Sequence, residues 1–319
     1  MPKTDILFID LLYRPKGSFD DDFATIAKAV EGGRIFHLKV AQTGRFGPLW
    51  QVVTAIVRMS PRRVVFLSAK VWQLMLLAPL ALLKRSYAVY HFRPNARATM
   101  HDRVLPVLAR AYSLAAYSAG VQDYLRRVTR KEIPLVASRL IDKRRSLARL
   151  ADKLRQGHVD VFCPGIRPGV RVPLDYAALR QGLERAAGKP VRNLVVQDAG
   201  ADTSANAGAV RWAQPMLSDE DYARLYDDSL VIPMKFAADY EVRSSAMIND
   251  ALGRGCILVT ETHPIVAQYG FPEGLVTDLE HLPAVIERVA SGRFGPGDIP
   301  GFDEAEAKQS WAAFLKPGA

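Results

Sequence analysis

Short apolar runs alternate with amphipathic stretches along nearly the whole chain. The first runs predict strands at 5–12, 34–40, 63–69, 87–92, 114–118 and 133–138. The stretches between them predict helices near 20–31, 48–59, 70–84, 99–111 and 120–130. Strands that alternate with helices at this spacing indicate βαβ units, and therefore a parallel sheet with helices on both faces.

The alternation stops at 139–156, a basic helical stretch, and then resumes. It predicts strands at 159–163, 193–198, 209–214, 230–234, 256–261 and 274–278, and helices at 173–187, 218–228, 241–253, 263–269 and 280–291. The expected fold class is α/β, with one doubly wound domain at 1–145 and a second at 146–302. A last helix within 303–319 carries Trp311 and Phe314, and we expect it to pack back on the first domain.

Charge is divided unequally between the two halves. Residues 1–157 contain 28 Lys and Arg against 11 Asp and Glu, a net charge of +17, whereas residues 158–319 contain 15 against 22, a net charge of −7. A basic surface favours a polyanionic partner such as an anionic membrane, a diphosphate or a nucleic acid. The basic residues are not interleaved with aromatic ones and match no known reader motif, so we do not expect nucleic acid as the partner.

The longest apolar run, 71–83, has 13 residues. A transmembrane helix needs about 20 residues, so we expect none; this helix either packs on the sheet or lies at a lipid interface. Asp5 and Asp10 interrupt the first apolar run, which predicts a strand and not a secretory leader. Cys163 and Cys256 are expected to be buried thiols of a reducing, cytoplasmic compartment.

Doubly wound domains bind ligands at the carboxyl ends of their strands. If the two domains face each other, the site is expected in the cleft between them. In the second domain the segment 232–260 is the most informative. A helix begins near Ser244 and Ser245, and its first N–H groups can hold a phosphate. Asp250 follows one to two turns deeper, where its carboxylate can accept hydrogen bonds from ribose hydroxyls.

The segment, IPMKFAADYEVRSSAMINDALGRGCILVT, resembles the donor-binding helix of the GT-B glycosyltransferases. In that superfamily a strand ending in Pro precedes a helix, and an acid–Ala–apolar–x–x–Gly run precedes the next strand. The resemblance implies two Rossmann-like domains and a nucleotide-sugar donor, with UDP favoured and no other cofactor. It places Asp250 at the ribose, Ser244 and Ser245 near the diphosphate, and Gln214 near the base. The other donor-side residues that it implies are Arg167, Arg171, Lys235 and Arg243.

The sequence departs from the family pattern in two respects. Many members have two glutamates eight positions apart, but the position eight before Asp250 is Val242, with Glu241 beside it. No Asp-x-Asp pair stands near a predicted strand end, which favours chemistry without a metal. The loop 164–171 offers Arg167 or Arg171 to neutralise the leaving diphosphate, or is simply a solvated loop.

Two loops after first-domain strands carry the acceptor-side candidates. Gly17 and Ser18 form a turn before Asp20, which is either a helix cap or a base for the acceptor hydroxyl. His91 follows the fourth strand, where a group that titrates near neutral pH suits a catalytic base. Arg93 beside it is suited to hold a carboxylate or phosphate through two hydrogen bonds.

Together these features predict a glycosyltransferase that adds a sugar to a lipid-linked carbohydrate in polysaccharide or glycolipid assembly. We expect it in the cytoplasm, peripherally associated with the inner face of an anionic membrane. GT-B enzymes that extend lipid-diphosphate-linked sugars show a similar division into a basic acceptor domain and a more neutral donor domain. The resemblance to one of them, the xanthan glucuronosyltransferase, is loose. A sugar-nucleotide epimerase of the same fold and a non-catalytic, basic membrane-binding protein remain as alternatives.

Overall fold

The predicted alternation of strands and helices is present in both halves of the chain. The computed structural model describes residues 5–13, 19–30, 34–41, 46–93, 100–165, 172, 174–197, 211–213, 217–238, 242–243 and 245–316. It describes the backbone alone at 19–22, 92–93, 100, 211–213 and 242–243. Contacts divide the chain into unit 1 (residues 1–140, 241–244 and 302–319) and unit 2 (residues 141–240 and 245–301).

Unit 1 is built on a five-stranded parallel sheet. Its strands are β1 (Ile6–Asp10), β2 (Ile35–Lys39), β3 (Arg63–Ser68), β4 (Arg85–Tyr90) and β6 (Ser113–Ala116), in the order β2-β1-β3-β4-β6. Its helices are α1 (Phe19–Ala29), α2 (Gly47–Met59), α3 (Val71–Leu83), α4 (Met100–Ala111), α5 (Ala119–Thr129) and α12 (Glu304–Phe314). A separate antiparallel pair joins β5 (Phe92–Arg93) to β11 (Val242–Arg243).

Helices cover both faces of this sheet, and this is why its central strands are apolar except near their ends. All five residues of β1 are buried. Leu7 packs with α2, α3, α4 and α5 on one face, and Phe8 packs with α1 and α12 on the other. Trp311 of α12 is fully buried, and its indole N–H donates to the carbonyl of Ala137 at 3.0 Å. Since successive side chains of a strand point to opposite faces, a strand that is covered on both needs an unbroken apolar run.

The predicted strand at 133–138 is wrong. The structure shows a single bridge there, between Ala116 and Leu135. The N–H of Ala116 donates to the carbonyl of Pro134 at 3.0 Å, and the N–H of Val136 donates to the carbonyl of Ala116 at 2.9 Å. Pro134 has no N–H with which to extend the ladder. The apolar run reflects burial of this segment in the core of unit 1, not sheet pairing.

Unit 2 is built on a six-stranded parallel sheet. Its strands are β7 (Val159–Cys163), β8 (Val191–Gln197), β9 (Arg211–Ala213), β10 (Val231–Pro233), β12 (Ile257–Val259) and β13 (Val276–Thr277), in the order β13-β12-β10-β7-β8-β9. Its helices are α6 (Lys143–Arg155), α7 (Tyr176–Ala187), α8 (Asp219–Asp228), α9 (Ala246–Gly253), α10 (Pro264–Ala267) and α11 (Leu282–Ala290). The expected pair of doubly wound α/β units is confirmed.

A buried lysine ties α6 to the amino end of the unit 2 sheet. The ammonium of Lys153 donates to the carbonyls of Tyr226 and Arg254 at 3.0 and 2.8 Å, and lies 3.4 Å from the Cys256 sulfur. Burial raises the pKa of the Cys256 thiol, with the Lys153 charge opposing that shift. Cys163 and Cys256 are both buried free thiols, as expected.

No helix within the described ranges is long and apolar enough to cross a bilayer.

Gly255 is predicted to be the one glycine of the 232–260 segment that cannot be replaced. Its φ is +67°, and a Cβ there would lie 2.5 Å from the Ser146 carbonyl oxygen and 2.7 Å from the Leu150 nitrogen of α6. Gly255→Ala should lower the free energy of unfolding by about 2–4 kcal/mol, through overpacking and the left-handed backbone. Urea unfolding followed by circular dichroism measures this.

The control is Gly253→Ala, two residues earlier in the same segment. Gly253 lies in α9, and the nearest side-chain atom to its Cβ position is 4.0 Å away, on Ile141. Because alanine favours a helix by about 1 kcal/mol over glycine, this variant should be as stable as the wild type or more so. Equal destabilisation by the two substitutions would contradict the packing of Gly255 against α6.

Candidate functional site

The carboxyl ends of three unit 2 strands border a cavity of about 430 Å³. Lys235 follows β10, Thr260 and Glu261 follow β12, and Asp278 follows β13; all four line this cavity. Ligands of doubly wound sheets bind outside the carboxyl ends of the strands. The cavity therefore lies at an edge of the sheet that is typical of ligand sites in this fold class. Lys235 lines it, but the predicted donor-side residues Ser245 and Asp250 do not.

Lys235 and Glu261 form an ion pair at this edge. The Lys235 ammonium lies 2.7 Å from a carboxylate oxygen of Glu261, and the two side chains are 39% and 69% exposed. An exposed pair of this kind contributes little to stability. A ligand phosphate can therefore replace Glu261 as the partner of Lys235 at small cost. Glu261, which the sequence analysis did not single out, is the last residue of the CILVTE run.

Ser245 caps the amino end of α9. Its hydroxyl accepts a hydrogen bond from the N–H of Ile248 at 3.4 Å, and its own N–H donates to the Tyr269 hydroxyl at 3.1 Å. The helix predicted at 241–253 therefore begins later, at Ala246. The prediction failed there because Val242–Arg243 is extended and pairs with β5, a partner far away in the sequence.

Asp250 lies in the middle of α9 and is partly buried. Its carboxylate is close enough to Tyr226 for its negative charge to raise the pKa of the phenol. Burial raises the pKa of Tyr226 well above its usual value, and the neighbouring Tyr222 and Asp250 add to the shift. The hydroxyls of Tyr222 and Tyr226 are 3.1 Å apart. Asp250 thus stands near Tyr226 of α8, whose phenol stays neutral. Helix α8 precedes β10, and α9 precedes β12.

A second charged pair stands at the edge of the cavity. Nδ1 of His281 lies 2.8 Å from a carboxylate oxygen of Asp278, and the N–H of His281 donates to the same oxygen at 2.9 Å. The hydrogen bond to Asp278 raises the pKa of His281. Burial opposes ionisation of Asp278, but the hydrogen bonds from His281 outweigh it and lower the pKa of that carboxyl.

His263, after β12, is a buried histidine that the sequence analysis missed. It is 8% exposed, and its Nδ1 accepts a hydrogen bond from the N–H of Ile265 at 3.2 Å, which caps α10. Its ring lies 5.5 Å from the ring of Phe236. Burial lowers the pKa of His263, with the backbone of Ala237 opposing that shift. The signal in the sequence is a histidine directly before Pro264, at the end of a buried strand.

Unit 1 gathers a buried polar cluster at the carboxyl ends of its strands. Asp10, the last residue of β1, is 1% exposed. It accepts a hydrogen bond from the hydroxyl of Ser68, the last residue of β3, at 2.7 Å, and lies 2.6 Å from Nε2 of His37 on β2. The ring of Phe23 stacks on His37 at 4.0 Å. Nothing local in the sequence relates these residues, since they belong to three strands.

His91 directly follows β4 and is half-buried. Its Nε2 is hydrogen bonded to the carbonyl of Leu67, and its ring meets the edge of Tyr117 at 4.7 Å. Because a carbonyl only accepts, Nε2 carries the proton, and in the neutral ring the lone pair lies on Nδ1.

The remaining predicted site residues are only partly covered by the structure. Those outside the described residues are Gly17, Ser18, Arg167, Arg171, Gln214 and Ser244. Asp20 lies in α1, where the structure describes its backbone alone. Arg93 and Arg243 belong to the β5–β11 pair, in which Arg93 is opposite Val242 and Arg243 is opposite Phe92. The pairing places the backbones of an expected acceptor-side and an expected donor-side arginine on adjacent strands.

His281 and His263 are predicted to titrate on opposite sides of the usual histidine pKa, His281 above it and His263 below it. Asp278→Asn should move the His281 pKa down towards the usual value, because the charged acceptor is lost. Proton NMR of the histidine rings measures both midpoints, with His281→Gln and His263→Gln assigning the signals. His263 is the internal control and should not move; an unchanged His281 midpoint would argue against the pair.

No protein-family model and no curated protein matches the sequence. Solved structures do match. A glycosyltransferase from Rickettsia africae is 12% identical, with a TM-score of 0.56 over 100% of both chains. The lipopolysaccharide outer core galactosyltransferase WaaB, in its apo form, is 13% identical, with a TM-score of 0.60 over 98% of this chain and 99% of its own. The chain therefore has the GT-B fold, with two Rossmann-like units.

Proposed function

We propose that the chain is a glycosyltransferase that moves a sugar from a nucleoside diphosphate, preferably UDP, to a hydroxyl of a carbohydrate acceptor. The carboxyl edge of the unit 2 sheet carries this proposal. There a cavity of about 430 Å³ presents Lys235; α9, which bears Asp250, belongs to the same unit but does not line this cavity. The fold shared with the two solved glycosyltransferases supports the same reaction class.

On the donor side, the amino end of α9 is suited to the diphosphate. Free N–H groups and the helix dipole favour an anion at that end. Asp250 lies four residues after Ala246, which is about 6 Å along the helix axis, a spacing that suits a ribose beside its diphosphate. Ser244 and Ser245 would lie near the phosphates, and Gln214 near the base. Lys235, Arg167, Arg171 and Arg243 would supply the positive charge that the leaving diphosphate needs.

On the acceptor side, unit 1 supplies the candidate bases. The acceptor oxygen forms a bond to the anomeric carbon, while the bond from that carbon to the diphosphate oxygen breaks and the diphosphate keeps the electron pair. His91 or Asp20 takes the hydroxyl proton if the configuration inverts. If the configuration is retained, the need for a base is weaker and His91 instead contacts the sugar. Gly17, Ser18 and Arg93 would position the acceptor.

The acceptor is proposed to be lipid-linked, in polysaccharide or glycolipid assembly. This proposal rests on the net charge of +17 over residues 1–157, since a basic surface favours the anionic inner face of a cytoplasmic membrane. WaaB, which is named for lipopolysaccharide, offers a parallel. The transfer is proposed to need no metal and no cofactor besides the nucleotide sugar.

Asp250→Ala should lower the affinity for UDP by at least about tenfold, because a hydrogen bond to a charged group contributes about 1.5–3 kcal/mol. Isothermal titration calorimetry with UDP measures the change, and thermal unfolding checks that the variant is folded. Asp250→Asn keeps the shape of the side chain and should be impaired less.

The matched control is Asp228→Ala, which removes the same charge from an exposed position at the end of α8. It should bind UDP as the wild type does. Unchanged affinity of Asp250→Ala for every nucleoside diphosphate would reject the donor site, and a wild type that binds none of them would reject the function.

His91→Gln should lower turnover by about 10²–10⁴-fold, the usual contribution of a general base, while UDP affinity stays unchanged. Glutamine keeps an N–H for the Leu67 carbonyl but cannot accept the proton. Transfer of labelled sugar from UDP-sugars to a membrane lipid extract measures turnover, and product analysis separates transfer from epimerisation. His158→Gln, at the amino end of β7, is the control; an active His91→Gln enzyme would remove His91 from the mechanism.

A further inference from the structure

Helix α3 of unit 1 is apolar on its outer face as well as on its inner one. The inner residues Val71, Leu74, Leu77 and Ala81 are buried in the core. The outer residues Met75, Leu76, Pro79, Leu82 and Leu83 are exposed. At about 100° per residue these five positions span an arc of about 120°. A helix that is apolar all round normally has a second apolar environment on its outer side.

Among the described residues, exposed large apolar side chains are confined to unit 1, and four of the nine belong to this helix. The large hydrophobic residues that are exposed are Phe36, Phe46, Trp50, Val57, Met75, Leu76, Leu82, Leu83 and Val107. All nine lie between residues 36 and 107, in unit 1, and unit 2 has none among its described residues. Leu82 and Leu83 are 71% and 78% exposed. Exposed large apolar side chains confined to one unit are typical of a docking surface.

The charged residues in the same stretch of chain are all basic. From residue 32 to residue 101 there is no Asp or Glu, but there are 11 Lys and Arg. Lys84 and Arg85 directly follow the exposed leucines at the end of α3. Long basic side chains beside apolar ones suit the boundary of a bilayer, where the stems lie against lipid and the charges reach the headgroups.

A basic cavity of about 880 Å³ opens at the end of α3, at the amino ends of β4 and β6. Leu82 lines it, together with the basic residues Lys84, Arg85, Arg110, Arg126, Lys131 and Lys316. Among the described residues, the one acidic lining residue is Glu132, which is paired with Arg126 at 3.1 Å. The cavity thus offers phosphate groups a basic recess beside apolar side chains.

We propose that the outer face of α3 and the basic cavity at its end form a docking surface for an anionic phospholipid bilayer. Leu76, Leu82 and Leu83 enter the acyl region, and the cavity takes headgroup phosphates. A second copy of this chain fits the surface poorly, because face-to-face docking would oppose two stretches that have many basic residues and no acid. The surface belongs to unit 1 and the proposed donor site to unit 2, so lipid binding and UDP binding are tested separately.

Co-sedimentation of the full chain with vesicles tests the proposal. Vesicles of equal parts phosphatidylglycerol and phosphatidylcholine should bind the protein, and pure phosphatidylcholine vesicles should bind it weakly. High salt should weaken binding, since exposed charges are screened. Leu82→Gln with Leu83→Gln should lower the partition coefficient at least about tenfold. Arg85→Gln with Arg110→Gln should lower it about fivefold for each charge removed.

Two matched controls accompany these variants. Leu82→Met with Leu83→Met keeps the face apolar and should bind as the wild type does. Arg185→Gln with Arg293→Gln removes two exposed charges from unit 2 and should also have no effect. UDP affinity should be the same in all variants, so that failure of the docking surface and failure of the donor site are distinguishable.

Three results would overturn the proposal. The first is that the wild type binds neither kind of vesicle, or binds both equally. The second is that Leu82→Gln with Leu83→Gln binds vesicles like the wild type. The third is that sedimentation velocity shows a dimer which this variant dissociates, while vesicle binding is unchanged. The last result would assign the surface to a second copy of the chain.

Discussion

Burial of both faces of parallel strands is the constraint on which this structure depends. Leu7 and Phe8 are neighbours in the sequence, but they belong to different cores on opposite faces of one sheet. A parallel strand can be followed by another only after a crossover, here a helix, so helices accumulate on both faces. All strands of a sheet then end at the same edge. Polar residues at or just after these strand ends, such as Asp10 in unit 1 and Thr260 in unit 2, therefore lie beside loops that can bind ligands.

Two buried charged side chains, Asp10 and Lys153, are tolerated because each has partners. Asp10 is almost fully buried, yet Ser68 and His37 contact its two carboxylate oxygens. Lys153 is equally buried and donates to two backbone carbonyls. Without such partners a buried charge would strongly destabilise the fold. These contacts join residues of different elements, so they hold the strand ends and helix ends in the positions that the loops require.

The two units have different surfaces on the same architecture. In unit 2, the carboxyl edge of the sheet carries the cavity with Lys235, and its outer helices show no large exposed apolar residue among those described. In unit 1, α3 is apolar on its outer face and is bordered by basic residues. This difference fits the two proposed roles, in which unit 2 binds the nucleotide-sugar donor and unit 1 docks on an anionic bilayer.

The sequence by itself determined the features that follow from local periodicity and backbone sterics: the alternation of strands and helices, the end of α9 before Gly255, and the apolar, acid-free stretch around α3. Only the tertiary structure decided that 133–138 is no strand, that Val242–Arg243 pairs with β5, and that Asp10 meets His37 and Ser68. A run of residues encodes its own conformation and burial through side-chain spacing. Contacts between segments dozens of residues apart depend on how whole elements pack, and no local pattern contains that information.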